Sequence, residues 1–199
     1  MEPYDLLVLF KEYLPEILIN TLLTKIDNKM LIYSSQCGQL EAMKFILEIG
    51  IGIWKDYCLT QASKNGHLEV VKLLLSHGAD IHELNDASLR YSAEYGHIEI
   101  VKFLLESGAN LHSLDDYALR YSSENGHLEI VKLLLESGAN VQAANNYSLC
   151  WASFKRHRAI VKLLLESGAD PRTESSFPIR YASSTGHAEV VKFILESIN

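Results

Sequence analysis

The chain is 199 residues long, 48% apolar and 22% charged, which excludes global disorder and supplies enough apolar side chains for a substantial core. A formal net charge of −7 repels phosphate backbones and anionic membrane surfaces, so neither nucleic acid nor a membrane is an expected partner. Cys37, Cys58 and Cys150 stand far apart with no CxxC pair; they point to neither a disulfide framework nor a zinc site, and they fit a reducing setting, cytoplasmic or nuclear.

Residues 1–29 follow no periodic pattern. Their most apolar stretch, residues 6–23, is interrupted by Lys11, Glu12, Pro15 and Glu16 and is not followed by a small-residue cleavage site. It therefore reads as neither a signal peptide nor a transmembrane segment. The Leu-Pro-Glu at 14–16 before an apolar run suits proline in the first turn of a helix, and such a helix would cover the open face of a repeat stack.

From there a 30-residue period organises the chain. Gly66, Gly96, Gly126 and Gly186 each precede a histidine at this interval, and Val71, Val101, Val131, Val161 and Val191 keep the same step. The expected organisation is an N-terminal helical cap at 1–29, a degenerate capping unit at 30–54, units at 55–84, 85–114, 115–144 and 145–174, and a shortened C-terminal unit at 175–199.

Each unit carries signals for two helices. Asp56, Asp86, Asp116, Asn146 and Ser176 occupy equivalent positions and are N-cap residue types, so the first helix is predicted to start there. It should stop near Gly66, Gly96, Gly126 and Gly186. Glu69, Glu99, Glu129 and Glu189 then fall in the first turn of a second helix, where a carboxylate suits the helix dipole and a lysine three residues on can pair with it. In the first helix the predicted core stripe is Leu119, Ser122 and Ser123, with Leu89, Ser92 and Ala93, and Ile179, Ala182 and Ser183, as counterparts. Small residues there allow close helix approach, and Ile130, Val131, Leu133 and Leu134 supply bulk from the second helix. No unit can bury its apolar face alone, so the core exists only in the stack.

From about Tyr57 to the C-terminus these units resemble the ankyrin repeat family, matching its GH turn, EIVKLLL helix and GAD or GAN segment. They are three residues shorter than the usual 33-residue repeat and read YALRYS where the family reads TPLHxA; only Pro178 keeps the family proline. In brevity and in Tyr, Ser and Asn content they are similar to the ankyrin repeats of giant DNA viruses. The resemblance implies an all-α solenoid of stacked antiparallel helix pairs with short loops, acting as a non-enzymatic scaffold for a protein partner held on its concave side, in the host cytoplasm if the source is viral. Residues 13–23 also resemble the opening of an F-box, which would make the chain an adaptor to ubiquitin-ligase machinery.

A candidate binding surface emerges from helical register. Tyr117 and Tyr121 share a face about 200° from Leu119. The arrangement returns as Tyr147 with Trp151, Phe177 with Tyr181, Tyr91 beside Ala87, and Tyr57 beside Gln61, with Arg90, Arg120 and Arg180 interleaved. Two readings fit: a ladder of exposed interface anchors, the role to which Tyr, Trp and Arg are suited, or rings packed beneath the shortened loops in place of the missing residues. Arg156 replaces a turn glycine, either by drift in a redundant array or as part of a cationic contact for an acidic partner. The recurrent His67, His97, His127 and His187 sit one per unit, too far apart for a shared zinc, and are expected to be turn and packing residues. No catalytic constellation, phosphate loop or cofactor motif stands outside the repeat grammar. Val190, Val191, Phe193, Ile194 and Leu195 keep their apolar character in the last unit, an expected flank for self-association or partner contact.

Overall fold

The computed structural model describes residues 28–48, 54–172, 177–184 and 186–198. Residues 1–27 of the expected cap, the F-box-like stretch among them, and Ser176 lie outside these. The described residues form helices and no strand, and none of these helices is long and apolar enough to cross a membrane. They fall into two compact units, divided between Asp80 and Ile81.

In the first unit α1 (Asn28–Cys37) and α2 (Leu40–Glu48) form one helix pair, and α3 (Lys55–Lys64) and α4 (Leu68–Ser76) a second. Leu31, Met43, Ile46, Leu59 and Leu74 are almost entirely removed from solvent, each contributing about 1.5–3 kcal/mol by burial. Ser34, Ser35 and Ser63 are buried among them, small enough to let the helices approach.

The second unit repeats the plan four times. Its first helices are α5 (Glu83–Glu94), α7 (Ser113–Asn125), α9 (Ala143–Phe154) and α11 (Phe177–Ser184). Its second helices are α6 (Ile98–Glu106), α8 (Leu128–Glu136), α10 (Arg158–Glu166) and α12 (Ala188–Ile198). Each set forms one layer, and the core lies between them. Leu89, Ser92 and Ala93, then Leu119, Ser122 and Ser123, are buried from the first layer, facing Ile100, Val101, Leu104, Ile130, Val131 and Leu134 from the second. The predicted stripe loosens in α11: Ala182 is buried, but Ile179 is half-buried and Ser183 exposed, because no further first helix covers them among the described residues. On α12, Phe193 and Leu195 are 37% and 49% exposed.

The expected N-caps have a different role. Asp86, Asp116 and Asn146 are each the last of three consecutive left-handed residues: Leu84, Asn85 and Asp86 have φ of 51, 57 and 53°. Leu114–Asp116 and Ala144–Asn146 repeat this turn. The chain passes through one left-handed turn here before the right-handed helix begins. The side chain then points back to the end of its own unit. Oδ1 of Asp86, Asp116 and Asn146 accepts the backbone N–H of Asn110, Asn140 and Asp170 at 2.7, 3.0 and 2.9 Å. Asp56 holds Asp80 in the same way at 2.7 Å. These contacts staple the connector after the second helix to the start of the first. The expected Glu–Lys pairs form at Glu69 and Lys72, 2.7 Å apart, whereas Lys132 and Lys162 lean the other way, to Glu136 and Glu166 at 4.0 and 3.7 Å. All are exposed and each is worth well under about 1 kcal/mol.

Neighbouring helix pairs are tied by histidine. The Nε2–H of His127, His157 and His187 donates to the carbonyls of Glu94, Glu124 and Phe154 at 2.9, 2.9 and 3.1 Å. In the first unit His67 donates to Gln36 at 2.8 Å. The imidazoles are therefore structural braces, each reaching the last turn of the preceding first helix.

Candidate functional site

The left-handed turns position the candidate surface. Three residues in this conformation strain any side chain other than glycine, asparagine or aspartate by about 1–2 kcal/mol, so leucine at the first position needs compensation. Arginine provides it. Arg90 donates from Nε to the Asn85 carbonyl at 2.8 Å and from Nη2 to that of Leu84 at 2.7 Å. Arg120 does the same to Asp115 and Leu114, both at 2.8 Å. Arg90 is only 7% exposed. The expectation that it projects onto the partner-facing side is thus corrected: its guanidinium is buried and engaged by main-chain carbonyls.

The rings form a continuous array beside the guanidinium groups. Tyr91 meets Tyr117 edge-on at 6.5 Å, Tyr117 stacks on Tyr121 at 4.0 Å, Tyr121 lies 5.6 Å from Tyr147, and Tyr147 lies 5.7 Å from Trp151. Trp151 stacks on Tyr181 at 6.3 Å, with Phe154 edge-on to both. Arg90 sits 4.9 Å from the Tyr117 ring and Arg120 5.2 Å from that of Tyr147, close enough for cation–π attraction. Tyr91, Tyr117, Tyr121, Tyr147, Trp151 and Tyr181 are all half-buried. The rings thus pack on one another across neighbouring units while staying partly exposed.

Not every expected residue joins the array. Tyr57 lies in the first unit, edge-on to Trp54 at 6.2 Å. The Phe177 side chain lies outside the described residues, and Arg180 is exposed. Arg156 is exposed with φ of 67°, holding the left-handed turn that glycine holds elsewhere. Its neighbour Arg158 forms an ion pair with Glu189 of the next helix pair. Two carboxylates escaped sequence reasoning. Tyr117 donates its hydroxyl to Glu94 at 2.6 Å and Tyr147 to Glu124 at 2.7 Å. A signal existed: at a spacing of 23 residues Glu94 pairs with Tyr117 and Glu124 with Tyr147, and in the next copy both partners change together, to Phe154 and Phe177.

Burial first, then the hydrogen bond to a carboxylate, pushes the Tyr117 and Tyr147 phenols well above their ordinary value of 10. A raised folded-state value means stability is complete below the pKa of the unfolded chain and declines as pH rises past about 10. Alkaline unfolding is therefore expected to steepen above that pH in the wild type and to be blunted when both tyrosines are replaced by phenylalanine. Denaturant melts at stepped pH measure this, and identical pH slopes would refute it.

Stacked antiparallel helix pairs, stapled within each pair and braced between pairs, define a helical repeat solenoid. Ankyrin repeats, taken three copies at a time, match residues 31–115, 89–175 and 119–199, and the chain belongs to the ankyrin-repeat family. Ankyrin repeats generally serve as protein–protein interaction modules. No curated protein matches the chain. Among the described residues no three His, Cys, Asp or Glu side chains come together as a metal site.

Proposed function

We propose that the chain is a non-enzymatic scaffold and that a protein partner docks on the ring ladder of the second unit, on the concave side made by the turns and first helices. The observation that carries this reading is the uninterrupted run from Tyr91 to Tyr181, half-buried and held rigid by its own stacking. Pre-ordered aromatic surface binds with little loss of side-chain freedom, and truncation of such anchors costs at least about 2 kcal/mol of binding. Arg180 adds a cationic edge at one end. The likeness to giant-virus ankyrin repeats extends the proposal to a partner in a host cytoplasm.

The competing surface is an open groove of about 280 Å³ between α8 and α10, lined by Leu135, Val141, Leu163 and Ser167 on the layer of second helices. A photo-crosslinking phenylalanine analogue placed at Tyr91 or Tyr181 is expected to capture one partner in cells, and the same analogue at Ser167 is not. Equal yields from the two faces would refute the ladder as the docking surface.

A further inference from the structure

Among the described residues, three left-handed turns of the second unit share one backbone geometry, yet only two are braced by an arginine from within. Leu114, Asp115 and Asp116 have (φ, ψ) of (48, 49), (59, 56) and (53, 42)°; Ala144, Asn145 and Asn146 have (48, 50), (56, 47) and (59, 35)°. The carbonyls of the first two residues therefore point the same way in both turns. In the earlier turn they receive the Nη2 and Nε of Arg120 at 2.8 Å, as Leu84 and Asn85 receive those of Arg90. In the later turn the arginine position is Cys150, whose buried side chain ends at Sγ and cannot reach carbonyls five and six residues back. Among the described residues no side chain donates to the Ala144 or Asn145 carbonyl. Asn145 is exposed and Ala144 half-buried.

We infer that the carbonyls of Ala144 and Asn145 form a receptor for the guanidinium of an arginine side chain, supplied by the protein partner that docks on the ladder. The inference rests on that docking proposal for the source of the arginine, and on two internal copies for the recognition itself. Those copies show what fits: a planar group with two parallel N–H donors, lying against a ring. Arg120 lies 5.7 Å from Tyr121 on its own helix; in the receptor the same register position is Trp151, the aromatic residue that attracts cations most strongly. Lysine, a point charge without the fork, satisfies only one carbonyl well. A chain with net charge −7 favours a cationic side chain over a neutral one.

The test is a titration of the full chain with N-acetyl-arginine-N-methylamide, followed through the backbone amide resonances of residues 144–146, with N-acetyl-lysine-N-methylamide as the comparison. Saturable shifts are expected with the arginine probe, at least tenfold weaker with the lysine probe, and unchanged in Cys150→Ala, which leaves the receptor empty. Cys150→Arg fills it from within and should abolish the shifts. Absence of saturable shifts in wild type, parity between the two probes, or full binding by a folded Cys150→Arg would overturn the receptor. If Cys150→Arg does not fold, the comparison of wild type and Cys150→Ala across the two probes decides alone. A partner crosslinked through Tyr91 or Tyr181 with equal yield in wild type and Cys150→Arg would overturn the receptor while leaving the ladder in place.

Discussion

Replacing Gly126 by alanine is expected to destabilise the second unit by about 2–4 kcal/mol, far more than a surface glycine in a helix-terminal turn ordinarily costs. Two effects combine. Gly126 has φ of 84°, a region that costs an L-residue about 1–2 kcal/mol. A Cβ there would also stand 2.6 Å from Cε1 of His157. The imidazole would have to move, and with it the bond to the Glu124 carbonyl, leaving a part-buried acceptor unsatisfied at a cost of about 1–3 kcal/mol. The array contains its own comparison, since Arg156 holds the equivalent position at φ 67°. There the histidine bond, His187 to Phe154, is stretched to 3.1 Å. Arg156→Gly should accordingly gain about 1 kcal/mol. Urea melts of the two variants measure both effects, and a loss below about 1 kcal/mol for Gly126→Ala would show that the histidine brace relaxes freely.

Arg90→Met is expected to cost about 2–4 kcal/mol, because methionine keeps much of the apolar stem while removing two charge-assisted bonds, each worth about 1.5–3 kcal/mol and not fully additive. The carbonyls of Leu84 and Asn85 lose those donors, and Leu84 stays in a conformation leucine resists. Arg90→Lys should recover less than half of the loss, since an ammonium cannot serve both carbonyls in the geometry of the fork. A melt within about 1 kcal/mol of wild type for Arg90→Met would mean that the Asp86 staple alone holds the turn.

Much of the fold was legible because the start, stop and core signals recur in register, so that an ambiguous residue in one unit is resolved by its counterparts. The caps were misread for a local reason. Asp86, Asp116 and Asn146 have the chemistry of an N-cap, but their side chains are taken by the connector at the end of the same unit, a bond that Asp56 also makes without a left-handed turn before it. Nothing in Leu84 or Leu114 announces the left-handed turn, since leucine is among the residues least suited to that conformation; their exposure of 55% and 48% records the cost. The ring register was legible from the spacing of four between Tyr117 and Tyr121, which becomes a 4.0 Å stack. The role of the arginines was not, because their partners are main-chain carbonyls, which carry no residue signature.

Two sets of polar ties in the second unit differ in what they join, and the difference governs how it comes apart. The carboxylate and amide staples join residues 24 apart and close each helix pair on itself, whereas the histidine bonds span 33 and join each pair to the one before. In a linear array the first kind sets the free energy of forming one pair, and the second sets the coupling between pairs. Weakening a staple lowers the midpoint of a melt while the pairs still unfold together. Weakening a histidine brace leaves each pair nearly as stable in itself but lets the array fray from its ends, broadening the transition and shrinking the denaturant slope. His127, His157 and His187 thus act as the cooperativity setting of the protein, one position per unit by which its all-or-none unfolding can be tuned.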